Sequence, residues 1–150
     1  MKTNIKRTAL NITTYCNLNC KHCLAFIPYY DKKFSMPVEE AKKILCAYFQ
    51  IVDTVEHFTV TGGEPLLNQD CAKILEEVHK YDNQITGSVD FVTNGTMEIP
   101  DSVFAVLAQH RNKTKVVLSD YGENLSKKIG MIFHIEYLSF GGMIYIMMAG

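Results

Sequence analysis

Three cysteines stand close together near the start of the chain, in Thr14-Tyr15-Cys16-Asn17-Leu18-Asn19-Cys20-Lys21-His22-Cys23. The C-x3-C-x2-C spacing puts three thiols on one short loop, and soft ligands that close suit an iron–sulfur cluster or zinc. A cubane cluster has four irons, so three cysteines leave one iron open to bind and orient a small molecule. Structural zinc is the competing chemistry, with His22 or a distant residue as fourth ligand. His22 adjoins Cys23, however, which makes joint tetrahedral ligation awkward. Zinc sites also usually pair their ligands twice, and no second pair follows here. Cys46 and Cys71 stand alone inside helical patterns, and Cys46 reads as a small buried hydrophobe.

Three other polar motifs recur downstream: Thr61-Gly62-Gly63-Glu64-Pro65, Thr93-Asn94-Gly95-Thr96 and Ser119-Asp120-Tyr121-Gly122. Glycines after a strand let backbone approach a ligand closely, and their carbonyls can accept from an ammonium group. Glu64 suits fixing the turn or neutralising that ammonium. Asn94 tolerates a left-handed backbone or presents its amide. Asp120 is equally suited to a helix N-cap. Taken singly, each motif reads as well as an ordinary turn.

The elements that would position these motifs alternate. Strands are expected over residues 9–14, 55–61, 88–93 and 115–119, from β-branched and apolar runs closed by turn residues. Between them, Ser35 as N-cap and Pro37 open a helix whose inner face carries Val38, Ala41, Ile44, Leu45, Tyr48 and Val52. A second helix runs from about Asn68 to Lys80 with Cys71, Ile74, Leu75 and Val78 inward. Pro100 and Asp101 open a third, and Leu125, Ile129 and Ile132 suggest a short fourth. Regular β-α alternation gives a parallel sheet, whose site lies past the carboxyl ends of the strands. Each of the four motifs follows such an end. His57 and Asp90 sit within strands and could face a barrel interior.

In this order, the cysteine triplet, Gly-Gly-Glu-Pro, Thr-Asn-Gly and the fourth strand end resemble the radical S-adenosylmethionine (radical SAM) enzymes over roughly residues 8–122. The resemblance implies a [4Fe–4S] cluster on Cys16, Cys20 and Cys23, whose open iron chelates the methionine part of S-adenosylmethionine (SAM). It implies reductive cleavage of SAM to a 5′-deoxyadenosyl radical that takes hydrogen from a substrate, with a peptide or protein as one candidate class. Gly62, Gly63, Glu64, Asn94, Ser119 and Asp120 are the implied SAM-binding residues, and His22 would stack on adenine. Tyr15, Phe26, Tyr29 and Tyr30 would cover the cluster. An electron donor such as a flavodoxin or ferredoxin is the implied partner. The other function class is a non-catalytic iron–sulfur or zinc binding module.

The implied fold is α/β, a partial (β/α) barrel with about four β/α units of an expected six. Six units need about 180 residues at roughly thirty per unit, and this chain has 150. The single domain 1–150 is therefore expected to be incomplete at its C-terminus, with an irregular tail from about residue 131. The fourth strand would then be an exposed edge, or be covered only by that apolar tail, and the chain alone a poor catalyst. Composition is that of a soluble globular protein, 47% hydrophobic and 21% charged. A net charge of −1 gives no basic footprint for nucleic acid. No apolar run is long enough for a membrane span, and the first residues lack a signal peptide's apolar stretch. Five cysteines, three of them crowded, point to a reducing cytoplasm.

Overall fold

The computed structural model describes residues 2–119, 138–140 and 143–146. Four strands, β1 (Asn4–Asn11), β2 (Thr54–Thr61), β3 (Ile85–Thr93) and β4 (Thr114–Ser119), pair in parallel in that order. Helices α1 (Val38–Ile51), α2 (Cys71–His79) and α3 (Asp101–Gln109) connect them. The α/β architecture expected from the sequence is thus present. Asn11 is level with Thr61, and Thr93 with Leu118, so the carboxyl ends of the strands share one edge.

Period-two alternation sorts the strands into two faces. Phe58 and Val60, Val89 and Phe91, and Val116 and Leu118 are buried on one. The helices cover that face: Phe49 of α1 stacks on Phe58 at 5.8 Å and on Tyr81 at 4.4 Å between ring centroids. Positions of opposite parity, including His57, Thr59, Ser88, Asp90 and Lys115, belong to the face away from the helices. One extra residue in β3, between the Val55–Ile85 and His57–Ser88 pairs, keeps the two strands in phase.

Several sequence expectations are corrected. Strand β1 starts at Asn4 and ends at Asn11, with Ile12 and Thr13 continuing toward β2 outside the ladder. Ser35 does not cap α1. It forms an isolated bridge with Thr13, Pro37 takes the N-cap place, and the Val38 N–H donates to Asp70 Oδ2 at 3.1 Å. Glu39 and Glu40 in the first turn complement the helix dipole. Helix α2 begins at Cys71, after a short 3-10 turn over Pro65–Leu67. Cys46 is exposed, its Sγ accepting from Gln50 Nε2, and Ile44 is also on the surface. The suggested fourth helix lies outside the described residues.

The tail is not wholly irregular. Strands β5 (Leu138–Phe140) and β6 (Met143–Ile146) pair antiparallel, and β6 pairs antiparallel with β4. An unpaired row of N–H and C=O groups along β4 is costly to leave open, and a segment rich in Ile and Tyr satisfies it. Among the described residues of the tail seven are in strand, in two pieces too short for a period to show in the sequence.

Asn68 joins these parts. Its buried Nδ2 donates to Ile12 O at 2.7 Å and to Met36 O at 2.9 Å, while Oδ1 accepts from the Asp70 N–H at 2.8 Å. One amide thus fastens the end of β1, the entry to α1 and the start of α2. Asn68→Ala strips partners from buried backbone groups and should lower stability by about 2–3 kcal/mol, read from urea unfolding. A loss within experimental error would remove Asn68 from this role.

Candidate active site at the carboxyl edge of the sheet

Backbone hydrogen bonds continue past the ladder and tie the cysteine loop to the turn after β2. Ile12 N–H donates to Thr61 O, Gly63 N–H to Thr13 O and Glu64 N–H to Tyr15 O, each at 2.8 Å. The contact is so close that side chains do not fit. A Cβ on Gly63 would lie 2.3 Å from Tyr15 O and 2.9 Å from Cys16 Cβ, and one on Gly62 would lie 2.7 Å from Thr13 O. The glycine pair therefore serves first to let the cysteine loop sit against the β2 end.

Glu64 turns inward and is fully buried. Its Oε1 accepts from Leu66 N–H at 3.1 Å and Thr93 Oγ1 at 2.8 Å, and its Oε2 from Asn94 N–H at 2.8 Å. Burial raises its pKa, against the lowering effect of those three hydrogen bonds. Of the two roles read for it, fixing the turn is the one this geometry supports. The carboxylate is a clamp between the ends of β2 and β3.

A second clamp joins the β3 end to the cysteine loop. Asn94 Nδ2 donates to Asn17 Oδ1 at 2.8 Å, Asn17 Nδ2 to Thr96 Oγ1 at 2.9 Å, and Thr96 Oγ1 to Asn94 Oδ1 at 2.7 Å. The three side chains close a ring. Asn94 Nδ2 also reaches Cys16 Sγ at 4.0 Å, where the Leu18 N–H donates at 3.4 Å. The left-handed residue of this turn is Gly95, with φ 70°, rather than Asn94.

Cys16, Cys20 and Cys23 are all partly buried and unpaired by disulfides. Their sulfurs do not all lie within 4.8 Å of one another, wider than the about 3.8 Å that Zn–S bonds impose around tetrahedral zinc. Burial raises the Cys16 pKa, with the charges of Glu64 and Cys20 adding to it. A bound cation reverses that and holds the thiolate. Cys71 is buried on α2, its pKa pushed up to about 12 by burial.

His22 is exposed in a turn of the same loop. Tyr15, Phe26, Tyr29 and Tyr30 also lie outward, 45% to 71% exposed, instead of covering the sulfurs. Phe26 has φ 54° at the start of a 3-10 turn over Ile27–Tyr29, a conformation costing about 1–2 kcal/mol in a residue with a Cβ. Lys33 Nζ donates to Ile27 O and braces that turn. Ser119 closes β4 at the same edge, level with Met143 of β6. Asp120 lies outside the described residues.

So the cysteine loop, Gly62, Gly63, Glu64, Asn94 and Ser119 share one edge of the sheet. The family model of the Radical SAM superfamily matches residues 10–119, the span that carries all of them. The chain belongs to the Radical SAM superfamily. That family is one of enzymes, and its cofactors are a [4Fe–4S] cluster and SAM.

Among known radical SAM proteins, the chain is similar to the GTP 3′,8-cyclase of Helicobacter pylori strain HPAG1, 26% identical over 57% of this chain and 26% of that one. It is 29% identical to the GTP 3′,8-cyclase of Clostridium acetobutylicum, over 63% of this chain and 29% of that one. It is 31% identical to a probable GTP 3′,8-cyclase of Thermoplasma volcanium, over 59% and 25%. Streptococcus suis SuiB bound to S-adenosylmethionine has a similar fold, with TM-score 0.57 and 20% identity over 72% of this chain and 23% of that chain. The chain thus matches about a quarter of the length of these relatives.

Sequence reasoning missed the positioning roles of Thr13 and Asn17, and those of Thr93 and Thr96 within the motif it singled out. Nothing in their types separates them from ordinary loop residues, because their partners are distant in sequence.

Gly63→Ala should push the β2 turn off the cysteine loop and sharply reduce iron retained after anaerobic reconstitution, with the sheet's circular dichroism unchanged. Full iron content would show that the contact is dispensable. The raised pKa of Glu64 has a defined sign. The folded state keeps the proton to higher pH than the unfolded chain, so Glu64's contribution to stability is fullest below its ordinary value of 4.5 and falls as pH rises through the folded value. Urea unfolding from pH 4 to 8 should show wild type losing stability relative to Glu64→Gln as pH rises. A gain would invert the assignment.

Proposed function

We propose that this chain is a SAM-cleaving radical enzyme core, with Cys16, Cys20 and Cys23 holding a [4Fe–4S] cluster. When bound, the cluster supplies the electron that splits SAM to methionine and a hydrogen-abstracting 5′-deoxyadenosyl radical. The observation carrying this reading is the double fastening of the cysteine loop to the β2 end and the β3 end. It fixes the loop against the strand ends before any cofactor arrives.

Each residue then has a defined task. The thiolates bind iron, and the Leu18 N–H and Asn94 amide face the Cys16 sulfur and offset its charge. Gly62, Gly63 and Glu64 meet SAM through backbone, since the Glu64 carboxylate is committed to Thr93 and Asn94. Asn94, Ser119 and Asp120 supply polar groups along the same edge, and His22 stacks on adenine. A flavodoxin or ferredoxin delivers the electron. Five free cysteines accord with a reducing cytoplasm, and among the described residues no helix is long and apolar enough to cross a membrane.

A peptide or protein is the substrate class of this reading, supported by the fold shared with SuiB, which was solved bound to its precursor peptide SuiA. The similarity to GTP 3′,8-cyclases favours a second reading, in which the substrate is a nucleotide.

Anaerobically reconstituted protein should hold about four irons per chain, change its electron paramagnetic resonance signal on adding SAM, and release 5′-deoxyadenosine under reductant. Alanine at Cys16, Cys20 or Cys23 should abolish all three, whereas Cys46→Ala and Cys71→Ala should not. Tight zinc binding with no reconstitutable cluster would instead establish the non-catalytic binding module.

A further inference from the structure

A second concentration of polar groups lies at the opposite edge of the sheet. There a cavity of about 380 Å³ is walled by His57, Ser88, Arg111, Lys113, Thr114 and Lys115, together with Gly87 and Asn112. Three of these side chains are permanent cations, and no carboxylate contributes to the wall. Among the described residues, none of the three has a carboxylate within 4.0 Å. Like charges converging on a cavity raise its energy when it holds only water, and an anion relieves them.

Arg111 and Lys113 stand on a braced loop, and Lys115 lies just inside β4. Lys113 N–H and Thr114 N–H both donate to His110 O, at 2.8 and 2.9 Å, and Lys113 O accepts from Val89 N–H at 2.9 Å. Thr114 Oγ1 bonds His79 Nε2 at 3.0 Å, and His79 stacks on His110 at 3.9 Å. Asp82 holds the other side of that pair, 2.9 Å from His79 Nδ1 and 3.6 Å from His110 Nδ1. This lock, centred on buried His79, gives the loop its shape before any ligand arrives.

The neighbouring acids, Asp90 and Glu56, lie outside the wall. Ser88 Oγ donates to Asp90 Oδ1 at 2.7 Å, so it accepts from His57 Nδ1–H at 2.9 Å. Glu56 Oε1 lies 3.5 Å from His57 Nε2, outside the wall.

We propose that this cavity binds a small polyanion of the phosphate class, such as a phosphorylated metabolite or pyrophosphate. Its volume lies at the low end of the roughly 300–1,000 Å³ of small-molecule sites. A net charge of −1 and the concave wall favour a small anion over a nucleic-acid backbone. Five residue steps along β3 separate Ser88 from Thr93, about 17 Å at 3.3 Å per step. The ligand therefore sits away from the cysteine edge, and the proposal stands independently of the cluster.

The test is a ¹⁵N–¹H NMR titration of the full 150-residue chain with pyrophosphate, with and without reconstituted cluster, alongside calorimetry. The expected result is saturable binding, with shifts concentrated at Gly87, Ser88 and residues 111–115, and weaker binding of sulfate at equal ionic strength. The double variant Arg111→Met/Lys115→Met should lose about tenfold or more in affinity. Lys43→Met/Lys80→Met, which removes the same charge from exposed positions on α1 and just after α2, should bind like the wild type. No saturable binding, shifts spread over lysines throughout the chain, equal loss in both variants, or tighter binding of a short oligonucleotide would each overturn it. The wild-type titration decides the matter even if the cavity variant fails to fold.

Discussion

A carboxylate with no exposure to water must find hydrogen-bond donors in the protein or remain protonated. Glu64 meets that demand with three donors from two segments, and in doing so it sets the spacing between the turn after β2 and the end of β3. The cysteine loop has few regular hydrogen bonds of its own. It takes its shape from what it leans on, the Gly62-Gly63 backbone on one side and the Asn94-Thr96 turn on the other. Remove the clamp and both supports are free to move apart, so the position of the sulfurs depends on a group that touches none of them.

The two edges of the sheet are built by different means. At the carboxyl edge, loops are tied to loops by backbone contacts too tight for a Cβ. At the opposite edge, buried His79, half-buried His110 and their aspartate brace the entry to β4. Burial lowers the His79 pKa, so the lock is held by a neutral imidazole. Between the edges, the packed face of Phe58, Phe91 and Leu118 supplies cohesion, and the other face carries His57, Thr59, Ser88 and Asp90 beside Val117.

The architecture was legible because strands β2 to β4 and the three helices each repeat an apolar period long enough to read. The order of motifs at the strand ends was legible too, since turn residues mark those ends. The errors have specific physical causes. Ser35 looked like a cap, but a side chain 32 residues away, Asp70, satisfied the first N–H of α1 and left Ser35 to pair with Thr13. Glu64 read equally well as a ligand-facing acid or a turn brace, and only burial distinguishes the two. The ring of Asn17, Asn94 and Thr96 could not be read at all, because no local pattern reports a contact across so many residues.

That ring has a consequence for how the protein comes into being. Asn17 bonds to Thr96 across 79 positions of sequence, and the Gly63 contact with Thr13 spans fifty. During synthesis the three cysteines leave the ribosome first, yet the surfaces that shape their loop emerge tens of residues later. Until β3 has paired with β2, the thiols belong to a flexible segment open to any oxidant or stray metal. If the three cysteines hold the cluster as proposed, its insertion waits on completion of the third strand rather than on the appearance of its ligands.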